Sequence, residues 1–312
     1  MILCCGEALI DMLPATAEGE PAFRPLPGGS VFNSAIALGR LGVPVSFFSG
    51  LSDDLFGSLL QEKLRESHVD LSHAVISARP TTLAFAKIEN GNASYFFYDE
   101  NTAGRMLSDS DLPTLGHNIE ALLFGGISLV SEPCGSANES LLHREAPHRL
   151  VMLDPNIRPS FIQDAERHRA RLQRQFASSD IVKVSDEDLR WIAPKTSQQE
   201  AIANLLTTGP KLVVLTSGEQ GAHAFWNGGS VSIPAVPVPV ADTVGAGDTF
   251  NAGFLAALRD AGALRKQSLA SPDPEVVANA LTFAAKVAAV TVSRVGANPP
   301  WRNELTSLHL PR

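Results

Sequence analysis

The stretch Asp242-Thr243-Val244-Gly245-Ala246-Gly247-Asp248-Thr249-Phe250 holds the residues best suited to chemistry. Downstream, Phe250, Gly253, Phe254, Ala257 and Leu258 repeat at helical spacing, and Gly262 offers a stop. Gly245-Ala246-Gly247 is therefore expected at a helix N-terminus. Small residues let the backbone approach a ligand closely there. The free N–H groups and the helix dipole favour an anion. Asp248 follows at once, so a carboxylate would lie beside a bound phosphate, placed to take a proton from an attacking hydroxyl. A favourable first-turn acid after a glycine turn is the plainer use of the same residues.

Other candidates lie nearer the front. Asp11 ends the first strand-like run. Asn33 falls in the first turn of the helix-like run Val31–Leu41, just after Gly28-Gly29. A carboxylate and an amide can grip neighbouring hydroxyls through paired hydrogen bonds, and glycines permit close approach. Asp11 as a turn cap and Asn33 as a solvated helix residue stay open on the residues alone. Arg158 follows a strand end, and Lys183 lies inside Ile181–Val184. Ser185-Asp186-Glu187-Asp188 reads as a helix capping box.

These residues need elements to position them. Strand-like apolar runs recur at Ile2–Ile10, Val45–Ser49, Ala121–Gly125, Arg149–Leu153, Ile181–Val184 and Lys211–Leu215, with helical periodicity between them. The alternation predicts an α/β fold, a central mostly parallel sheet flanked by helices on both faces. Open sheets of this kind bind ligands at the carboxyl ends of their strands.

Two segments depart from the alternation. The first, 81–101, has strand-like arms around Glu89-Asn90-Gly91-Asn92, and Asn-Gly predicts a hairpin because both residues tolerate positive φ. Phe97 and Tyr95 are placed on alternate faces of that hairpin, one of which would cover a ligand. The second, Met12–Leu26, is punctuated by Pro and Gly around Ala22-Phe23-Arg24. The two segments, about 12–26 and 82–105, are expected to join as a small antiparallel sheet outside one domain spanning 1–312.

Composition narrows the class. Of 312 residues, 44% are hydrophobic and 19% charged, as in ordinary globular proteins. The net charge of −8 argues against a general nucleic-acid surface, which needs a basic face. Cys4, Cys5 and Cys134 are odd in number and lack paired spacing, so neither a disulfide framework nor a zinc site is expected. The N-terminus has no basic region, and Glu7 and Asp11 interrupt its apolar run, so it reads as a strand and not a signal peptide. No apolar stretch approaches the ~18 residues of a membrane span. A cytoplasmic location without membrane partners is expected.

The whole string Asp242–Phe250 resembles the C-terminal motif of the ribokinase-like (PfkB-type) sugar kinases. The resemblance extends over nearly the whole chain. Gly28-Gly29-Ser30-Val31-Phe32-Asn33-Ser34-Ala35 resembles the family's first motif, and Gly50–Gly57 its following turn. Gly6–Asp11 and Asp154-Pro155-Asn156-Ile157-Arg158-Pro159 look most like the fructokinase branch. Thr216-Ser217-Gly218-Glu219-Gln220-Gly221 looks like the nucleotide loop.

The resemblance implies a Rossmann-like fold with a β-sheet lid. It implies an ATP-dependent kinase in which Asp248 deprotonates a sugar hydroxyl. The amides of Gly245, Ala246 and Gly247 would hold the charge developing on the transferred group. Asp11, Gly28, Gly29, Asn33 and Phe97 would contact the sugar. Arg158 would reach phosphate. Lys183, Thr216, Gly218, Gly221 and Asn279 would serve the nucleotide, with Asn279 beginning the late helical run and near the adenine. A potassium site is implied from Asp242, the backbone of Thr243, and the segment Ser293–Gly296. Many relatives carry Asn-x-x-Glu where this chain has Ser185-x-x-Asp188, so magnesium is expected mainly with ATP. A homodimer through the lid sheets is a further implication.

Fructose is the expected substrate, with 2-keto-3-deoxygluconate as the alternative. Tyr98-Asp99-Glu100 is read as placing acids where a keto-acid kinase would want a cation, which counts against that alternative. A sugar-sensing protein without catalysis would share the scaffold, and ATP turnover separates the two.

Overall fold

The computed structural model describes residues 1–89 and 92–306. Strand β1 (Ile2–Cys5) leads to β2 (Leu9–Ala17), β3 (Glu20–Gly28) and helix α1 (Ser30–Arg40). Then come β4 (Val45–Phe48), β5 (Gly50–Ser52), α2 (Leu55–Glu66), β6 (Val69–Asp70), β7 (Val75–Ser77), β8 (Leu83–Glu89) and β9 (Asn92–Tyr98). The middle of the chain gives β10 (Ala121–Gly125), α3 (Cys134–Glu145), β11 (Leu150–Asp154), α4 (Ala165–Ala177), β12 (Ile181–Ser185), α5 (Asp186–Ile192), α6 (Gln198–Thr208) and β13 (Leu212–Thr216). The last part holds β14 (Ala222–Trp226), β15 (Gly229–Ile233), α7 (Ala246–Asp260), α8 (Lys266–Ala270), α9 (Pro274–Val292) and α10 (Arg302–Thr306).

The main sheet runs β15-β14-β13-β12-β11-β10-β1-β4-β6. Its pairs from β13 to β6 are parallel. These strands are buried on both faces, which is why they read as continuous apolar runs. Successive residues still alternate between faces. Ile2 and Cys4 join one core layer with Phe32, Phe254 and Leu281; Leu3 and Cys5 join the other with Leu141 and Phe176.

Two expectations need correction here, and one hairpin was not foreseen. The run Ile2–Ile10 is not one strand. β1 ends at Cys5, and β2 starts at Leu9 in a different sheet. Asp11 therefore sits within β2 and does not end β1. The unforeseen hairpin is that of β14 and β15, antiparallel at the sheet edge. Its signal was present in Asn227-Gly228, with Gly228 at φ 94. Second, the small sheet, β3-β2-β8-β9, is mixed and not antiparallel. β2 and β8 pair in parallel, Ile10 beside Leu83, because the chain crosses the main sheet between them. Residues 99–105 lie beyond this sheet, in turns. The Asn90-Gly91 turn falls outside the described residues, but the arms β8 and β9 pair as a hairpin demands.

Contrary to the expectation that no apolar stretch approaches span length, helix α9 is long and apolar enough to cross a membrane by length and composition alone. Half of it is buried, and it packs on α7 within the core.

Candidate active site

Gly245 caps α7 in the left-handed conformation, φ 78. A Cβ there would lie 2.7 Å from that of Ala297, so glycine is required twice over. The backbone of Gly245, Ala246 and Gly247 lines a cavity of ≈310 Å³, and Asp248 lies on its wall. Asp11, Gly29, Asn33, Phe97 and Arg158 line the same cavity. Residues hundreds of positions apart thus meet around one carboxylate.

Asp248 is 7% exposed. Its Oδ1 accepts from the Ser30 hydroxyl at 2.7 Å and from the Asn156 amide at 3.3 Å. Its Oδ2 accepts from the Asn33 amide at 2.9 Å. A carboxylate has about four acceptor sites. These three bonds leave one for the proton of an incoming hydroxyl. Burial raises the Asp248 carboxyl above its ordinary range. Bonds from Asn33 and Ser30 pull it back, Asp154 adds to the rise and Arg158 opposes it.

Asp11 reaches the cavity from β2. Gly28 makes room for it, since a Cβ there would lie 2.2 Å from Asp11 Oδ2. Burial, with the Asp248 charge, pushes Asp11 up to about 6, against the pull of Arg158. Arg158 donates to Asn156 Oδ1 at 2.6 Å. Tyr95 and Phe97 both line the cavity. They share a face of β9, because residues two apart in a strand point the same way, so the expectation of alternate faces is corrected.

Lys183 does not line the cavity. It is buried beneath it, bonded to Asp154 Oδ2 at 3.0 Å. Its Nζ lies 3.0 Å from where a Gly247 Cβ would be, so it supports the turn from below. Burial pulls its pKa down, but Asp154 and Asp188 outweigh that, and it ends raised. Asn251 of α7 completes this layer, donating to Asp154 Oδ2 at 2.6 Å.

Thr216 ends β13, beside Ser185 at the end of β12. Gly218 begins a short 3₁₀ turn, and Gly221 packs against Ile233 of β15. Asn279 is exposed on α9, past its first turn and not at its start. None of these four lines the Asp248 cavity. Ser185 and Asp188 do form a capping box on α5, and Asp188 Oδ1 also accepts from the Ile157 amide at 2.8 Å. Three donors, the Ser185 amide and hydroxyl and the Ile157 amide, thus hold that carboxylate in its cap. Among the described residues no cluster of three or more His, Cys, Asp or Glu could hold a metal.

Asp242 accepts from the Val244 and Gly296 amides at 3.0 and 2.9 Å. It ties the loop before α7 to the loop after α9. Ser293 spends its hydroxyl on Val290 O at 2.8 Å, at the end of α9.

Asp99 is a correction. It is buried among Thr82, Thr102, Ser131 and Arg105 and does not line the Asp248 cavity; nor does Glu100. The acids of Tyr98-Asp99-Glu100 are thus no ground for rejecting a keto-acid substrate.

Glu7, Ser30 and Asn156 were not singled out from the sequence, yet all line the cavity. Asn156 had a signal, an asparagine in the Asp154–Pro159 motif. It adopts φ 41, a region asparagine tolerates better than most residues.

Comparison with known proteins identifies the family. Residues 1–304 match the pfkB family carbohydrate kinase domain. The chain is 53% identical over 280 residues to a fructokinase of Rhizobium leguminosarum bv. trifolii, covering 89% of this chain and 86% of that one. The crystal structure of a fructokinase from Xylella fastidiosa with bound ATP superposes with a TM-score of 0.88 at 29% identity, over 98% of this chain and 97% of that one. A fructokinase from Vibrio cholerae O395, in its fructose, ADP and calcium ion bound form, gives 0.81 at 25% identity, over 95% and 94%. The chain belongs to the pfkB family of carbohydrate kinases.

Proposed function

We propose that this member of the pfkB family, an ATP-dependent sugar kinase, phosphorylates fructose on a primary hydroxyl. The observation that carries the reaction is Asp248, buried and held by three donors at the N-terminus of α7. The sugar oxygen bonds to the γ-phosphorus, the bond to the bridging oxygen breaks, and ADP leaves. Asp248 receives the hydroxyl proton. The amides at Gly245, Ala246 and Gly247 offset the charge on the transferred group.

Neutral sugar fits the wall. Glu7, Asp11 and Asp248 face the cavity against a single guanidinium, Arg158, and three acids opposite one cation disfavour an added phosphate on the sugar. Asp11 and Asn33 accept from and donate to sugar hydroxyls, Gly29 permits close approach, Gly28 acts indirectly by making room for the Asp11 carboxylate, and Phe97 covers the ring. The Rhizobium and Xylella relatives named as fructokinases support fructose over other sugars.

ATP lies along Thr216, Gly218, Gly221 and Asn279, at the carboxyl end of β13 and on α9. Lys183 acts from beneath the anion site and not as a phosphate contact. Arg158 remains the cation that faces the transferred group. Magnesium comes with ATP, since Asp188 is engaged in its cap. A potassium ion would be held by Asp242 with carbonyl oxygens of Thr243 and of Ser293–Gly296, where it would add positive charge beside the anion site.

The small sheet acts as a lid, with Tyr95 and Phe97 over the sugar. Its other face carries Phe23, Phe85 and Tyr98, ring centroids 4.9 and 5.4 Å apart, with Phe23 and Tyr98 largely exposed. Such an apolar patch supports a homodimer through the lids. Three buried free cysteines suit the reducing cytoplasm.

The test is ADP release at fixed ATP with fructose, ribose, 2-keto-3-deoxygluconate and fructose 6-phosphate. Fructose should give the highest kcat/KM. A preference for the keto acid or phosphosugar would overturn the substrate and leave the family intact.

A further inference from the structure

Glu7 leaves the end of β1 and is 8% exposed. Its Oε1 accepts from the Ser30 amide at 2.7 Å, and its Oε2 from the Ser128 amide at 3.3 Å. Ser30 is the first residue of α1, and Ser128 lies in the 3₁₀ turn Gly126–Leu129 that follows β10. One carboxylate thus links the ends of β1 and β10 to the start of α1. Gly126 is cut to receive it, since a Cβ there would lie 2.3 Å from each Glu7 oxygen.

The position is unfavourable for a charge. Burial pushes Glu7 up to about 7, although the backbone donors pull it back. What the carboxylate secures is Ser30, whose hydroxyl donates to Asp248 Oδ1.

We propose that Glu7 is a positioning residue for the base, acting through Ser30. Its carboxylate fixes the first residue of α1, so that the Ser30 hydroxyl meets Asp248 and sets which acceptor site faces the sugar. This rests on the reading of Asp248 as the base.

A double-mutant cycle tests it. Glu7→Gln keeps the shape but turns an NH₂ group toward one of the two backbone donors. Ser30→Ala removes the hydroxyl. Each should lower kcat about tenfold, the worth of roughly one hydrogen bond to a charged group, with KM for ATP unchanged. The double variant should lose no more than the larger single loss, because both act on one link. Losses that multiply, or full kcat in either single variant, would overturn the proposal. Gly126→Ala displaces the same carboxylate and provides a second route if Glu7→Gln does not fold. It should lower kcat in the wild-type background and add nothing to Ser30→Ala; an added loss there again overturns it. Asp248→Asn serves as the control. If that variant keeps its activity, the base assignment has failed. If it is inactive while the other losses multiply, only the Glu7 proposal has failed.

Discussion

The side-chain amide of Asn33 and the carboxylate of Asp248 lie 2.9 Å apart, although 215 residues separate them in the chain. The bond joins the first turns of α1 and α7, whose N-terminal ends converge on one cavity. Asp248 therefore arrives already oriented, with its charge held in a buried place that would otherwise favour protonation.

Asp248→Ala should fold as wild type and lose about 10²–10⁴ in kcat, the usual contribution of a positioned base. Thermal melting checks the fold and coupled ADP release the rate. Activity near wild type would remove the central assignment.

If Asp11 holds the sugar as proposed, Asp11→Ala should lose most of the selectivity for fructose, since the hydroxyls it would hold are left without a partner. The ratio of kcat/KM for fructose to that for ribose is the measure. An unchanged ratio would take Asp11 out of the sugar site.

Stability should fall as pH rises through the range where Asp11 ionises. Its folded-state pKa of about 6 stands above the ordinary aspartate value of 3.8, so the folded protein binds more protons between those values. The protonated form is the better buried, and ionisation costs stability above that range. Asp11→Asn should then raise Tm at pH 7.5 by roughly 2–4 °C, on the scale of one kcal/mol in a large domain, and flatten its pH dependence. A lower Tm would contradict the sign.

Rates should rise with potassium at constant ionic strength, while sodium or a bulky organic cation substitutes poorly. Asp242→Ala should abolish that response, because Asp242 tethers the two loops that would supply the oxygens. No effect of potassium on the wild type would dismiss the ion site and leave the kinase standing.

Hydrogen exchange in β8 and β9 should slow when sugar binds. Tyr95 and Phe97 lie on the wall of the cavity, so closure over a sugar would order their strand and exclude water. Unchanged exchange at saturating fructose would count against a lid.

The sequence by itself determined what local chemistry dictates. Asp242–Phe250 had to begin a helix with free amides and a carboxylate behind them. The parallel strands showed as apolar runs because both their faces are covered. Ser185-x-x-Asp188 showed its cap because the bond it makes is local. Only the tertiary structure decided the rest. It broke Ile2–Ile10 between two sheets and turned β2 parallel to β8, since pairing across a crossover leaves no periodic mark. It buried Asp99 in a structural cluster and paired Lys183 with Asp154 beneath the Gly247 turn, because an acid or a lysine in sequence carries no label for the side it will face. It brought Glu7, Ser30 and Asn156 to Asp248 through contacts spanning up to 218 residues. Such contacts depend on how helices and strands pack. Neither composition nor spacing along the chain records that.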